Sequence, residues 1–364
     1  MMPIEYAEQD DPIDVGDVRV GYRKHSTRVW TWWIALASLS LLGWILLRIF
    51  WPTVQFGLAT EVPGVVVSRG GGFELSPPDG VTTIEPLGLN FMVVGDTGTG
   101  ASLQRDVADA MAIVAKERRS DFVLMLGDNF YNSGVKSVSD PQWQSKFEQI
   151  YRSRLRKIPF YACLGNHDHR GNVEAQIDYS KQSERWRMPA RYYTFTQPIT
   201  GGDDMLIEFF VIDSDPITRE LPESQAQLVW LENALESSTA RWKVVAGHHP
   251  LRSGGRPSTA TKPVREALLP IFQRAPVDLY LSGHDHYLEF GTADHGINYG
   301  LSGAGSKLQR RVVRHSYAEA ATKQLGFLLV EVGVDELRLR MIGLGGELPD
   351  QKVIKKPGNV MVAD

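Results

Sequence analysis

Phe122-Val123-Leu124-Met125-Leu126-Gly127-Asp128-Asn129-Phe130-Tyr131 decides the fold: an unbroken apolar run, a glycine, then a carboxylate, an amide and, after one phenylalanine, a phenol. The run is short and bulky, as a strand buried on both faces of a parallel sheet must be. The same grammar recurs elsewhere. Phe91 to Val94 leads into Gly95-Asp96, Phe160 to Leu164 into Gly165-Asn166-His167-Asp168, Val244 to Ala246 into Gly247-His248-His249, and Leu279 to Ser282 into Gly283-His284-Asp285-His286. Each polar cluster therefore stands at the carboxyl end of a strand, the edge of an open α/β sheet where loops converge on one crevice. Asp, Asn, Tyr and His gathered there supply oxygen and imidazole donors to a hard or borderline metal ion.

Outward from these clusters, strand-like runs alternate with helical patterns at Leu103 to Arg119, Trp143 to Leu155, Ser224 to Glu236 and Lys262 to Phe272, which argues for βαβ units. Between the third and fourth clusters lie a polar stretch, Asn172 to Trp186, and strands near Tyr192 to Thr196 and Leu206 to Asp213. After the last cluster come Ile297 to Leu301 and a hairpin-like pair, Gly326 to Val332 and Glu336 to Ile342. The order predicts an α/β fold with four layers, two sheets sandwiched between helices, over residues 90–343, and a loose polar tail over 344–364.

The 364 residues are 43% hydrophobic and 23% charged, enough to fill a sizeable core. A formal net charge of -4 gives no basic footprint of the kind that tracks a phosphate backbone, so no nucleic acid is expected as a structural partner. The single cysteine, Cys163, sits inside an apolar run, so the chain forms no intrachain disulfide and the thiol reads as a small buried hydrophobe.

From Val29 to Leu47 no residue is charged, and tryptophans stand at both ends of the stretch, at 30, 32, 33 and 51. That length spans a bilayer, and interfacial tryptophans with Arg48 snorkelling outward suit its ends. A buried soluble helix would need protein on every side. A cleaved signal peptide fits less well, because the leader is long and no small-x-small site follows. Arg19, Arg23, Lys24 and Arg28 before the span outweigh Arg48 and Arg69 after it. The expectation is a cytoplasmic tail over 1–28, an uncleaved transmembrane anchor over 29–51 and a linker over 52–89. The remaining domain would then be extracytoplasmic: periplasmic in a bacterium, lumenal or extracellular in a eukaryote.

A single buried aspartate at a strand end is usually structural, satisfying nearby backbone groups. Asp96, Asp128, Tyr131, Asn166, His248, His284 and His286 at neighbouring strand ends are too many for that. If Asp128 bridges two ions, Asp96, Tyr131 and His286 can complete one site while Asn166, His248 and His284 complete the other. Two metals close together suit phosphoryl chemistry, since they lower the pKa of a bound water and hold both attacking and departing oxygens.

The set Gly-Asp-x-Gly, Gly-Asp-Asn-Phe-Tyr, Gly-Asn-His-Asp, Ala-Gly-His-x-Pro and Gly-His-Asp-His resembles the calcineurin-like metallophosphoesterases and, within them, the small purple acid phosphatases of the tartrate-resistant type. The likeness extends to Gly171-Asn172-Val173, Tyr179-Ser180-Lys181 and Leu301-Ser302-Gly303-Ala304-Gly305. It implies a binuclear centre, with Fe(III) held by Asp96, Asp128, Tyr131 and His286, and a divalent iron, zinc or manganese held by Asp128, Asn166, His248 and His284. It also implies hydrolysis of phosphate monoesters by in-line attack of a metal-bound hydroxide, with the substrate meeting Asn166 and His167. In that resemblance His167 protonates the leaving oxygen or contacts the phosphate, Asp168 orients it, and His249 lines the pocket or packs. Two departures stand out. Thr97 replaces the tryptophan of the animal relatives and is expected to alter the pocket rim, and the loop after Pro250 lacks a second substrate-facing histidine, for which Arg252 or Arg256 would substitute. Competing readings are a di-manganese phosphodiesterase or nuclease on the same fold, and a non-catalytic membrane-anchored binding module.

Overall fold

The structure, a computed structural model, describes residues 88–199, 205–255 and 261–356. The expected anchor, residues 29–51, the flanking tail and most of the linker lie outside the described residues. Among the described residues no helix is long and apolar enough to cross a membrane.

Two sheets of seven strands form the centre. In the first, β1 (Leu89–Val94), β2 (Phe122–Met125), β3 (Phe160–Ala162) and β4 (Trp186–Arg187) run parallel, Phe91 beside Phe122 and Met125 beside Ala162. In the second, the antiparallel edge strand β5 (Tyr193–Pro198) precedes three parallel strands, β6 (Leu206–Val211), β7 (Trp242–Ala246) and β8 (Leu279–Ser282). Strands β9 (Leu288–Thr292), β10 (Asn298–Ser302) and β11 (Ala318–Thr322) finish that sheet in the order β8-β10-β9-β11. The antiparallel strands β12 (Gly326–Val332) and β13 (Glu336–Gly343) return to the first sheet beside β1.

Strand alternation separates the layers. Phe209 of β6 faces the first sheet, its ring edge-on to Phe91 at 5.2 Å, whereas its neighbour Phe210 faces outward with Val245 and Tyr280. Against that outer face pack α3 (Asp215–Thr218), α4 (Glu223–Ser237) and α5 (Thr261–Arg274) through Ile217, Leu231, Leu235, Leu268 and Phe272. Helix α1 (Ser102–Glu117) buries Val107, Met111 and Val114, spaced as one helical face, against the first sheet's core. The two-sheet α/β architecture read from the sequence is the one observed.

Two expectations change. The helical pattern at Trp143 to Leu155 does not form one helix: it divides into a wide turn, Gln144–Glu148, and a 3-10 turn, Ser153–Lys157, which opens on Ser153 at φ 54°. The cause is tertiary, since the buried Arg185 guanidinium takes the carbonyls of Tyr151 and Leu155 at 2.7 and 3.4 Å. The polar tail is also ordered as far as β14 (Gly346–Lys355), which pairs with β13, so the domain runs past 343. Asp350 and Gln351 masked the alternation there, while Lys352 and Ile354 are buried. In the polar stretch, α2 (Val173–Tyr179) starts at Asn172, whose side chain caps Ala175 N at 3.3 Å.

Candidate metal centre

The polar clusters leave their strands through sharp turns. Asp96, Asp128 and His284 all adopt left-handed backbone angles, with φ 58°, 50° and 71°. Such residues cost about 1–3 kcal/mol each and persist where surrounding structure over-determines them. Here carboxylates hold the turns in place: Asp96 Oδ2 accepts the His284 amide at 2.8 Å and Asp128 Oδ1 the His167 amide at 2.9 Å. Gly165 allows the second contact, since a Cβ there would lie 2.3 Å from Asp128 Oδ1.

The side chains converge in two adjoining groups. In one, Tyr131 Oη donates to Asp96 Oδ1 at 2.9 Å and lies 3.2 Å from His286 Nε2, itself 3.4 Å from the same carboxylate oxygen. In the other, His248 Nε2 lies 3.1 Å from Asn166 Oδ1, 3.2 Å from His284 Nδ1 and 3.5 Å from Asp128 Oδ1. Ligand atoms of Asp96, Asp128 and His248 fall within 4.8 Å of one another, which joins the groups. The Gly-His-Asp-His motif thus serves both, His284 entering one and His286 the other, while Asp285 turns aside to accept the Ser253 hydroxyl.

These residues fit a pair of cations. The Nδ1 of His248 is committed to the Leu126 carbonyl, so its Nε2 lone pair faces the acceptor oxygens of Asn166 and Asp128. Acceptors facing acceptors at the buried His248 and Asp128 call for positive charge between them. Burial, with the charges of Asp128 and Asp96, pushes the Tyr131 phenol well above its usual range, so a cation is what would make it a phenolate ligand. For Asp96, burial works against ionisation, but the hydrogen bond from His286 and the neighbouring imidazoles more than offset it and hold the carboxyl low.

Flanking residues divide. The imidazole of His167 is partly exposed, and its Nδ1 donates to the Asn132 carbonyl at 2.7 Å, leaving Nε2 3.9 Å from Asp128 Oδ2. Asp168 does not orient it. That carboxylate is fully buried and accepts the Gly165 and Asn129 amides at 2.9 and 3.1 Å, with Gln176 Nε2 at 3.0 Å, so it pins loops together away from the reacting face. Burial and the charge of Asp128 raise it to about 7. His249 is likewise not on an open surface: 2% exposed, it bonds Ser214 Oγ through Nδ1 at 2.8 Å and its ring sits 4.6 Å from that of His284. Thr97 is buried too. Arg252 is engaged by Asp294 through two bonds of 2.7 Å and stacks on Tyr317 at 4.5 Å, while Arg256 lies outside the described residues.

Sequence reading missed residues that bear on the centre. Ser214 Oγ accepts the amides of His248 and His249 at 3.2 and 3.0 Å. Asp213 grips His169 Nε2 at 2.8 and 2.9 Å. Both follow β6, another strand end at the same edge, but one without the glycine that marked the rest. Lys307 Nζ lies 3.4 Å from the centre of the Tyr131 ring, and Lys146 Nζ donates to the Tyr131 carbonyl.

The sequence model of the calcineurin-like phosphoesterase family matches residues 89–288. Tartrate-resistant acid phosphatase type 5 of Homo sapiens is 34% identical over 291 residues, covering 71% of this chain and 88% of that protein. Purple acid phosphatase 4 of Arabidopsis thaliana is 36% identical over 242 residues, 61% of this chain and 69% of its own length. Among solved structures, GAP50, the anchor in the inner membrane complex of Plasmodium, superposes with a TM-score of 0.65 at 25% identity, covering 74% of this chain and 89% of its own.

Proposed function

The chain belongs to the calcineurin-like phosphoesterase family and, within it, to the purple acid phosphatases, and we propose that it is a membrane-anchored phosphatase of phosphate monoesters. Its being a metal-dependent phosphoester hydrolase follows from that membership. The monoester preference, the metals and the anchor are the proposal.

The observation that carries the reading is the meeting of two donor groups at Asp128. We assign Asp96, Asp128, Tyr131 and His286 to Fe(III), and Asp128, Asn166, His248 and His284 to a divalent ion. Phenolate and carboxylate are hard donors suited to a trivalent ion, whereas imidazole and amide oxygen suit iron(II), zinc or manganese. Bound there, the ions would supply Lewis acidity to the phosphoryl oxygens and a water of lowered pKa. The chain's own contribution is orientation and proton supply. His167, with Nδ1 fixed on the Asn132 carbonyl, presents Nε2 on the partly exposed side, where in its protonated form it gives a proton to the leaving ester oxygen. Asn166 and His167 meet the phosphate, Asp128 holds the His167 amide, and Asp168 keeps the Asn129 and Gly165 turns from shifting.

Anchoring rests on the uncharged run within 29–51 and on the cations before it, which put the tail in the cytoplasm and the domain outside. A second reading, an anchored module without turnover, is favoured by the likeness to the Plasmodium anchor. Metal analysis with a visible spectrum and a p-nitrophenyl phosphate assay on the purified full chain decides. Two metals per chain, a phenolate-to-iron absorption band and turnover are expected. Turnover without the band indicates another metal pair, and metal without turnover favours the module.

A further inference from the structure

At the amino edge of the first sheet, the end of α1 and the 3-10 turn Ser153–Lys157 enclose a cleft of about 450 Å³ lined by Lys116, Arg119, Ser120, Asp121, Arg154 and Ile158. The metal centre is at the other edge. Ser120 and Asp121 directly precede β2, whereas Gly127 and Asp128 follow it. Lys116, Arg119 and Arg154 are exposed, and among the described residues none of the three forms an ion pair. The intervening Arg118 behaves differently, drawn off by Glu347 at 3.2 Å and Glu331 at 3.9 Å. Asp121, the one acid in the lining, is committed elsewhere, its Oδ2 accepting the Asn90 amide at 2.9 Å.

Two further observations point to a ligand. The Ser120 side chain is 3% exposed, and its hydroxyl has no hydrogen-bond partner among the described residues. Buried hydroxyls left unpaired are costly and ordinarily find one. Arg119 stands just past the C-cap of α1 at φ 53°, a left-handed angle that glycine takes freely and an arginine takes only under strain. We propose that this cleft is an anion site remote from the metal centre, which binds a phosphate group through Lys116, Arg119, Arg154 and the Ser120 hydroxyl. Guanidinium forks match phosphate oxygens and the ammonium adds a point charge. The phosphate is either free or carried on a lipid headgroup. The headgroup has standing because the described chain enters the domain here, the Asp121 amide donating to the Asn90 carbonyl of β1 at 2.7 Å. The site stands whether or not the centre turns over phosphate esters.

Equilibrium binding of labelled inorganic phosphate to the metal-loaded full chain in neutral detergent, beside inhibition of p-nitrophenyl phosphate turnover by the same anion, separates the two places. Wild type should bind phosphate in two classes, only one of them matching the inhibition constant. Arg119→Gln with Arg154→Gln should weaken the other class roughly tenfold and leave the inhibition constant unchanged. Ser120→Ala should weaken it several-fold without lowering the melting temperature, since the hydroxyl has no bond to lose. Arg119→Gly should weaken it as well, again with no fall in melting temperature, because glycine takes that backbone angle without strain. A merely structural cluster would show the reverse, lower stability with binding intact, and would overturn the site. The source is read by replacing free phosphate with phosphatidylglycerol or phosphatidylcholine in the micelles. Retention of phosphatidylglycerol alone, lost in the double variant, assigns the cleft to a headgroup; a substitution-sensitive class for free phosphate alone assigns it to a soluble anion. If the substitutions lower neither, there is no site. Without p-nitrophenyl phosphate turnover the phosphatase reading falls, and the substitution-sensitive binding still decides the cleft.

Discussion

His248 donates from Nδ1 to the carbonyl of Leu126 across 2.7 Å, and this bond to the last apolar residue before Gly127 fixes which nitrogen faces Asp128. A strand end thereby sets the tautomer of a candidate metal ligand. Replacing either member of the facing pair should therefore act on metal content first. For Asp128→Asn and for His248→Ala we expect metal per chain and phosphatase turnover to fall together, turnover by more than about 100-fold. Elemental analysis beside kinetics checks this, and a variant that keeps turnover after losing its metals would sink the assignment.

His167 is expected to act on the leaving group. His167→Ala should slow hydrolysis of an alkyl phosphate by about 10²- to 10⁴-fold. The loss should be much smaller for p-nitrophenyl phosphate, whose leaving oxygen needs no proton. Steady-state kinetics across leaving groups of graded pKa reads this directly, because the slope against leaving-group pKa should steepen. Equal losses on every ester would instead make His167 a phosphate contact.

Asp168 holds the fold beneath the centre. Asp168→Ala orphans the Gly165 and Asn129 amides and the Gln176 amide group, all buried, and should destabilise the domain by about 2–4 kcal/mol. Chemical denaturation measures it. Asp168→Asn should restore part of the loss, since one amide oxygen still accepts. A stability equal to wild type would return Asp168 to the reacting face.

The Arg252–Asp294 clamp predicts a dependence on acid. The hydrogen bonds from Arg252, helped by that from Tyr317, lower the Asp294 carboxyl from an ordinary 3.8 to about 2. Because the folded value is the lower one, the stability this pair contributes is complete above about pH 4 and is lost as pH falls towards 2. With both side chains partly solvated, that contribution is about 1 kcal/mol at most. Asp294→Asn should flatten this part of a melting-temperature profile between pH 2 and 5; an unchanged slope would mean that the clamp is energetically silent.

Much of this molecule was legible because strand ends announce themselves. An apolar run closed by glycine and a donor residue is a local signal, and it located Asp96, Asp128, Tyr131, Asn166, His248, His284 and His286 before any contact was known. What escaped was set at long range. Asp168 sits in the most conspicuous motif, yet Asn129 and Gln176, distant in sequence, decide where its carboxylate points. Arg185 likewise broke a helix that its own period favoured. Ser214 lacked the glycine flag, and Lys307 meets Tyr131 only because the loops that follow β10 in one sheet and β2 in the other come together.

Strand β14 carries the domain past Gly343, and with it comes a rule for handling the protein. Lys352 on that strand reaches across to Thr292 Oγ1 at 3.0 Å and to Glu319, both in the other sheet. A chain trimmed after Gly343 would lose this rivet between the sheets and lay bare the whole edge of β13. Freed strand edges recruit other chains. Recombinant forms should therefore end beyond Lys356, or the purified material will be sticky for reasons unrelated to its chemistry.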